Sequence, residues 1–306
     1  MPHSYTTDGM GASKAANSAW LQLRSLMRQS LQLPTQVRSS LSALDSFRES
    51  VESHTGLSLI NLDVLEIGHG QTQFAAAYVS SLGNRVVGID LDAVPDGVFD
   101  LAGYLQTLRA NGFLRAAKSW TRDVIGLNRR MRREFVRQRG LRSWPRYRTV
   151  VADASDTRFP DCNFDFVYSF YVLEHVAEPA AVLREVSRIL RPGGGFWFRF
   201  PHFGHYNALH DLRWITQAAN TPRPWAHLLE AERHTVRQGA FVNTLRIHDW
   251  RQLFDRFFPD AVCQTVPVKN EELSTALHEI RGEGKLSDFS DEELLTNDLI
   301  YSWRKR

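Results

Sequence analysis

VLEIGHGQTQFAAAYVSSLGNRVVGIDLD, residues Val64 to Asp92, reads as an apolar strand, a glycine-containing turn, a helix and a second apolar strand that ends in an aspartate. A turn directly after a parallel strand sets backbone N–H groups and a helix N-terminus beside a ligand. Gly68 and Gly70 let the backbone approach closely, because no Cβ intervenes. Asp90, at the tip of the second strand, suits a ribose diol, since one carboxylate accepts two hydroxyl hydrogen bonds.

Two details separate a dinucleotide from another adenosine ligand. The dinucleotide fingerprint G-x-G-x-x-G wants glycine where this chain has Gln73. Glu66, two residues before Gly68, would repel a pyrophosphate and attract a cationic ligand. S-adenosylmethionine is such a ligand, with a sulfonium, an ammonium and no phosphate.

Outward from this stretch the pattern continues. Thr149–Val151, Phe164–Ser169 and Phe196–Phe200 read as further strands, and strands near Ala261–Val268 and Leu299–Trp303 follow. Pro179–Leu190 reads as an amphipathic helix with Val182, Val186, Ile189 and Leu190 on one face, stopped by Arg191-Pro-Gly-Gly194. Further helices are expected over Gln71–Leu82, His248–Phe257 and Asn270–Ile280. Residues from about 13 to 54 carry apolar side chains at helical spacing, broken by Pro34. Strands alternating with helices predict an α/β, Rossmann-like, doubly wound and mostly parallel sheet of seven strands. Residues 1–55 form an N-terminal helical extension and 56–306 the main domain, with a basic helical insertion at 93–147.

The chain of 306 residues, 43% apolar, is long enough for a proper core. No run of about 18 apolar residues is present, and the polar N-terminus lacks signal-peptide features. Two cysteines, Cys162 and Cys263, make neither a disulfide framework nor a zinc site, so a reducing, cytoplasmic setting is expected.

VLEIGHG, GIDLD, FDFVYSFYVLEHV and RILRPGG occur in that order. Together they resemble the successive motifs of class I S-adenosylmethionine-dependent methyltransferases, over roughly Asp63 to Pro201 apart from the insertion. The loop of that family is usually G-x-G-x-G, and here Thr72 holds the third position. NTLRIHDWRQLF and SDEELLTNDLIYSWRKR also resemble a bacterial branch found near glycan-assembly genes. The resemblance implies that Glu66, Gly68 and Gly70 line the methionine part of the cofactor. It implies that Asp90 binds the ribose hydroxyls and that Leu91 packs on the adenine. Asp153 and Ala154 would reach the adenine edge, and the carbonyls of Ser169 and Phe170 would meet the ligand's ammonium.

Methyl transfer to a hydroxyl wants a base near neutral pH, and histidine meets that requirement. Of eleven histidines, His202, His205 and His210 cluster in PHFGHYNALHDLRW, after the fifth strand. The base is expected to be His202 or His210. Asp211 could orient a ring elsewhere in the site. A cation held by His202, His205, His210 and Asp211 is a further reading, but the spacing matches no defined metal site, so no metal is assigned. Glu174 and His175 have two readings. Either His175 stands beside the transferred methyl, or the two form a helix-start pair making local hydrogen bonds; the second is preferred.

Leu101 to Arg148 holds thirteen basic residues against Asp123 and Glu134, in a chain whose net charge is +3. Within it, Thr121–Arg139 puts Val124, Leu127, Met131 and Phe135 on one stripe with arginines elsewhere. A lid gripping an anionic acceptor, such as a nucleotide sugar or a diphosphate-linked glycan, is the preferred reading. A peripheral membrane contact through 121–139, nucleic-acid binding and a homodimer contact are weighed beside it, and nucleic acid is disfavoured because no RNA-binding module is recognisable. The function expected is S-adenosylmethionine-dependent O-methylation of a sugar, glycan or other small molecule. The alternatives are an RNA or protein methyltransferase and a non-catalytic cofactor-fold protein. SFYVLEH in place of N/D-P-P-Y argues against base N-methylation, and Gln73 with Glu66 argues against a nicotinamide oxidoreductase.

Overall fold

A computed structural model describes residues 32–70, 72–92 and 126–305, together with 100, 103, 105 and 108. Among these residues the elements are α1 (Leu33–Thr55), β1 (Asp63–Ile67), α2 (Phe74–Ser81), β2 (Arg85–Asp90), α3 (Leu127–Gln138), β3 (Arg148–Val151) and β4 (Phe164–Phe170). They continue with α4 (Pro179–Ile189), β5 (Leu190–Phe200), α5 (Leu212–Thr216), α6 (Ile247–Phe257), β6 (Val262–Pro267), α7 (Glu271–Gly282), α8 (Asp291–Leu294) and β7 (Thr296–Arg304). The strands form one seven-stranded sheet in the order β3-β2-β1-β4-β5-β7-β6. The β1–β4, β2–β3 and β4–β5 pairs are parallel, and β7 runs antiparallel between β5 and β6. Strand order reverses direction at β1 and β4, the switch point where ligands of open α/β sheets bind. This is the mostly parallel, Rossmann-like fold expected from the sequence.

The chain divides into two compact units. One comprises the described parts of Met1–Glu52, Ser58–Leu62 and His69–Asp153; the other comprises Ser53–Leu57, Asp63–Gly68 and Ala154–Arg306.

In the first unit the apolar stripe of α1 is buried through Val37, Leu41, Leu44, Phe47 and Val51. Tyr78 of α2 donates to Asp45 of α1 at 2.6 Å. The stripe expected in the insertion is real where it is described: Leu127 and Phe135 of α3 are buried, and Phe135 packs on Phe74 and Trp144 with ring centroids 5.5 and 5.0 Å apart. Val124, and with it most of 93–125, lies outside the described residues.

In the second unit aromatic side chains fill the core around β5 and β7. Phe254 of α6 stacks on Tyr301 of β7 at 3.7 Å, and Phe200 stacks on both. A second apolar cluster joins Trp225 and Leu229 to Leu273, Leu277 and Ile280 of α7.

Three local expectations are corrected. The segment after the glycine turn becomes helical only at Phe74, because Gln73 caps α2 in the left-handed region with φ 55°. Leu173–His175 is one turn of 3-10 helix rather than the start of an α-helix. Asn243 Nδ2 holds this turn by donating to the carbonyls of Leu173 and Val176, and α4 waits for Pro179, whose fixed φ suits a first helical turn. Arg191-Pro-Gly-Gly194 does not lie between α4 and a later strand. Leu190 passes directly into β5, which takes up the tetrapeptide in a register shift against β4. There Gly194 runs so close to the Asp165 carbonyl oxygen that a Cβ would stand 2.7 Å from it.

Phe254→Ala removes a fully buried ring and is expected to lower the unfolding free energy by about 3–5 kcal/mol. Urea denaturation measures it; an unchanged midpoint would mean that the α6–β7 stack is not part of the folded core.

Candidate active site

β1 carries Glu66 into its carboxyl end, opposite Tyr168 of β4, with the carboxylate 3% exposed. The strand stops at Gly68, where φ is 76° and a Cβ would overlap Val172 Cγ2 at 2.1 Å. Only glycine meets both conditions. Ser169, near the end of β4, donates from Oγ to the Ile67 carbonyl at 2.9 Å, so its hydroxyl ties β4 to β1. Phe170 packs its ring on Trp197, 5.0 Å between centroids.

In the first unit Gly70 has φ 56°, and no atom lies within 4 Å of where its Cβ would be. Its N–H donates to Asp90 Oδ2 at 3.1 Å, and Asp92 N–H donates to Oδ1 at 3.1 Å. Asp90 thus fixes the turn, and each oxygen keeps acceptor capacity for a ribose hydroxyl. Leu91 beside it is 67% exposed, Asp153 is exposed and Ala154 half-buried. Gln73, in the place of the third fingerprint glycine, is buried. Its Oε1 accepts from Tyr147 Oη at 2.5 Å and from Arg132 at 3.4 Å. Arg132 also lies over the Trp144 ring at 5.3 Å. Arg132 is therefore committed to the turn, whereas Arg129 and Arg133 on the same helix are exposed.

The donor set fits S-adenosylmethionine. Open space above Gly70 admits a ligand against the backbone. In the second unit the end of β1 carries a carboxylate, Glu66, and in the first unit the end of β2 carries Asp90; neither is a cation for a pyrophosphate.

The three expected catalytic histidines part company. His202 is 2% exposed, and its Nδ1 accepts from Gly204 N–H at 3.0 Å, so it shapes its own loop. His205 likewise accepts from Asn207 N–H and contacts Asn297 Oδ1 at 3.2 Å. Asp211 orients no ring. Its carboxylate accepts from the Arg213 side chain and from the backbone N–H groups of Arg213 and Arg237. The cation reading built on His202, His205, His210 and Asp211 is thereby lost, because three of the four are spent on loop structure.

His175 and His210 instead come together, ring centroids 4.9 Å apart. His175 Nδ1 bonds the Phe241 carbonyl at 2.6 Å. A carbonyl only accepts, so Nδ1 carries the hydrogen and Nε2 of the neutral ring presents its lone pair. His210 has φ 54°, an uncommon conformation for a residue with a Cβ, and its buried Nε2 has no hydrogen-bond partner. Glu174 is 1% exposed, with Oε1 3.8 Å from His175 Nε2 and no hydrogen-bond partner on either carboxylate oxygen. Burial pushes Glu174 up to about 8, opposed by its own amide and aided by Asp298. Burial pulls His175 down, and pulls His210 down to about 4. At neutral pH both imidazoles are unprotonated. Of this pair, His175 is held by the distant Phe241 carbonyl, and the Glu174 carboxylate meets no donor other than its own amide.

Comparison with known proteins gives the following. A family model described as "Methyltransferase domain" matches residues 110–198. The sterol 4-C-methyltransferase of Caenorhabditis elegans is 31% identical over 78 residues, 22% of this chain and 23% of that protein. The 27-O-demethylrifamycin SV methyltransferase of Amycolatopsis mediterranei is 42% identical over 43 residues, 14% and 16% of the two chains. The chain thus spans less than a quarter of these curated relatives. Phosphoethanolamine N-methyltransferase 2 of Haemonchus contortus, solved with S-adenosyl-L-methionine, aligns with TM-score 0.46 at 16% identity, over 85% of this chain and 52% of that one. Residues 110–198 thus resemble a methyltransferase domain, within a chain that has the mostly parallel, Rossmann-like fold described above.

Two outcomes follow from this geometry. Gly68→Ala is expected to cost more stability than Gly70→Ala, by roughly 1–3 kcal/mol, since both carry αL strain but only Gly68 also meets Val172. Val172→Ala in the Gly68→Ala background should recover part of the difference, and equal losses in a denaturant series would contradict the close approach. Burial also pulls His202, His205 and His227 down to about 4. The fold keeps them neutral while the unfolded chain takes up protons near pH 6.5, so stability should fall as pH drops from 6.5 towards 4. A urea midpoint constant over that window would show these rings to be solvated.

Proposed function

We propose that this protein transfers a methyl group from S-adenosylmethionine to a hydroxyl oxygen of a small-molecule acceptor, with sugars and glycans among the candidates. The observation that carries the reading is the meeting of Glu174, His175 and His210 just past the carboxyl end of β4, with a lone pair on His175 Nε2 and an unpartnered His210 Nε2. The relatives' names specify a carbon, an oxygen and a nitrogen acceptor, so they do not choose the atom. The imidazoles support oxygen, because a neutral hydroxyl must lose its proton as it takes up a methyl group.

When bound, S-adenosylmethionine supplies a methyl group on a sulfonium, a good leaving group, so the protein's task is alignment and proton removal. Glu66 offers its buried negative charge to the cationic end, with Gly68 and Gly70 keeping the backbone close. Asp90 takes the ribose hydroxyls while it braces the turn. Leu91 covers the adenine, and Asp153 and Ala154 read its edge. The carbonyls of Ser169 and Phe170 receive the ammonium. His210, with His175 beside it, accepts the hydroxyl's hydrogen bond and its proton, and Glu174 lies 3.8 Å from His175 Nε2. His202 does not enter this scheme. Exposed Tyr171 and Phe241 give the acceptor apolar surface next to these groups. Arg129 and Arg133 remain available to an anionic acceptor, as a lid would require; Arg132 does not. No described helix is long and apolar enough to cross a membrane.

Calorimetry should show binding of the methyl donor and none of NAD. Asp90→Ala should weaken donor binding roughly 30- to 150-fold, about 2–3 kcal/mol for two hydroxyl bonds. His210→Asn, whose new side chain tolerates the left-handed backbone, should slow methyl transfer to a hydroxyl acceptor about 10²–10⁴-fold with donor affinity intact. Labelled methyl donor incubated with fractionated extract identifies the acceptor. Unchanged turnover in His210→Asn would remove the proton-acceptor role.

A further inference from the structure

The cluster just described has the composition and spacing of a cation site as well as of a proton relay. One ligand atom each from Glu174, His175 and His210 lie within 4.8 Å of one another. Zinc–nitrogen and zinc–carboxylate bonds are about 2.0–2.2 Å, so these side chains would close on an ion by rotation.

Three independent features point the same way. The Glu174 carboxylate is withdrawn from water, and neither oxygen finds a donor. A buried carboxylate in that condition is costly unless a positive charge joins it. His175 donates its Nδ1 hydrogen to the Phe241 carbonyl. This outer bond is the one that metal-ligating histidines usually make; it fixes the tautomer and aims Nε2 at the ion. The backbone under the cluster is braced, since Asn243 N–H donates to the Glu174 carbonyl at 2.8 Å while the Asn243 side chain holds Leu173 and Val176.

We propose that Glu174, His175 and His210 bind one divalent transition-metal ion of the zinc type. Two imidazoles and one carboxylate favour such an ion over magnesium or calcium, which prefer all-oxygen shells. Three protein ligands leave the fourth position open, as in catalytic rather than structural zinc sites. The inference rests on the reading of this cluster as the place where an acceptor hydroxyl is activated, and it describes a metal-loaded form of it. In that form the hydroxyl oxygen takes the fourth position and releases its proton to solvent at lower pH. Its lone pair then forms the C–O bond as the C–S bond breaks, with the electron pair returning to sulfur. The ion takes over the acidifying role that the imidazoles have without it.

The test uses untagged, chelator-treated full-length protein, with zinc chloride followed by calorimetry and cobalt chloride followed by visible absorption. One ion per chain is expected, with affinity on the order of micromolar or tighter and a cobalt absorption band of tetrahedral or five-coordinate type. Glu174→Gln and His210→Asn should each weaken binding at least about tenfold. His248→Asn, an exposed histidine paired with Asp249 outside the cluster, should leave it unchanged. A measurement on the wild type alone needs no variant to fold: zinc should protect His175 and His210, and not His248, from carbethoxylation read by mass spectrometry. No ion uptake by wild type, uptake that survives both cluster substitutions, or binding lost in His248→Asn would each overturn the proposal. Methyl transfer measured on the same stripped protein separates the two readings. Transfer without ion uptake overturns the metal alone, and ion uptake without transfer to any hydroxyl overturns the oxygen-acceptor reading while the metal site stands.

Discussion

At the carboxyl end of β1 there is no room for a side chain, and much of the active-site region follows from that. Val172 fills the space a Cβ on Gly68 would need. The contact holds β1 against the segment leaving β4, and the Ser169 hydroxyl bonded to the Ile67 carbonyl reinforces it. With β1 and β4 pinned at their ends, the chain beyond β4 has one course. It enters a tight 3-10 turn that delivers Glu174 into a dry space and His175 beside it. One steric exclusion thus fixes the path that brings Glu174 and His175 together past β4.

The parts of this arrangement legible in the sequence are those governed by local rules. Alternation of strands and helices, the glycine positions and the aspartate closing β2 each reflect a period or a backbone requirement within a few residues. The seven-stranded, mostly parallel sheet was readable for that reason. Phe135 was readable too, because an amphipathic stripe reports its own buried face. Glu66 before the turn, a charge where glycine spacing is silent, is the sequence's own pointer towards a sulfonium rather than a pyrophosphate.

What was not legible depends on contacts between distant segments. His175 and His210 are 35 positions apart, and no periodicity links them. The cue was present in the pair Glu174–His175, but its local reading concealed that Asn243 and Phe241, far along the chain, complete the turn. His202, by contrast, commits its Nδ1 to its own loop and keeps a buried, unpartnered Nε2 away from the His175–His210 pair. The arginines of α3 looked equivalent on a helical wheel. Only packing shows that Arg132 faces Trp144 and Gln73 while Arg129 and Arg133 face water. A resemblance between motifs assigns residues to a cofactor; it does not say which polar side chains the rest of the chain has already taken.

Gln73 shows how such a commitment shapes inheritance. Its backbone is left-handed, a state that glycine enters freely and glutamine enters at a cost. The cost is tolerated here because Tyr147 and Arg132, both brought in by the insertion and its return to the sheet, grip the amide oxygen. Position 73 and the inserted segment therefore behave as one hereditary unit. A descendant that shed the segment would leave glutamine with neither partner nor shelter, and glycine or asparagine should replace it there.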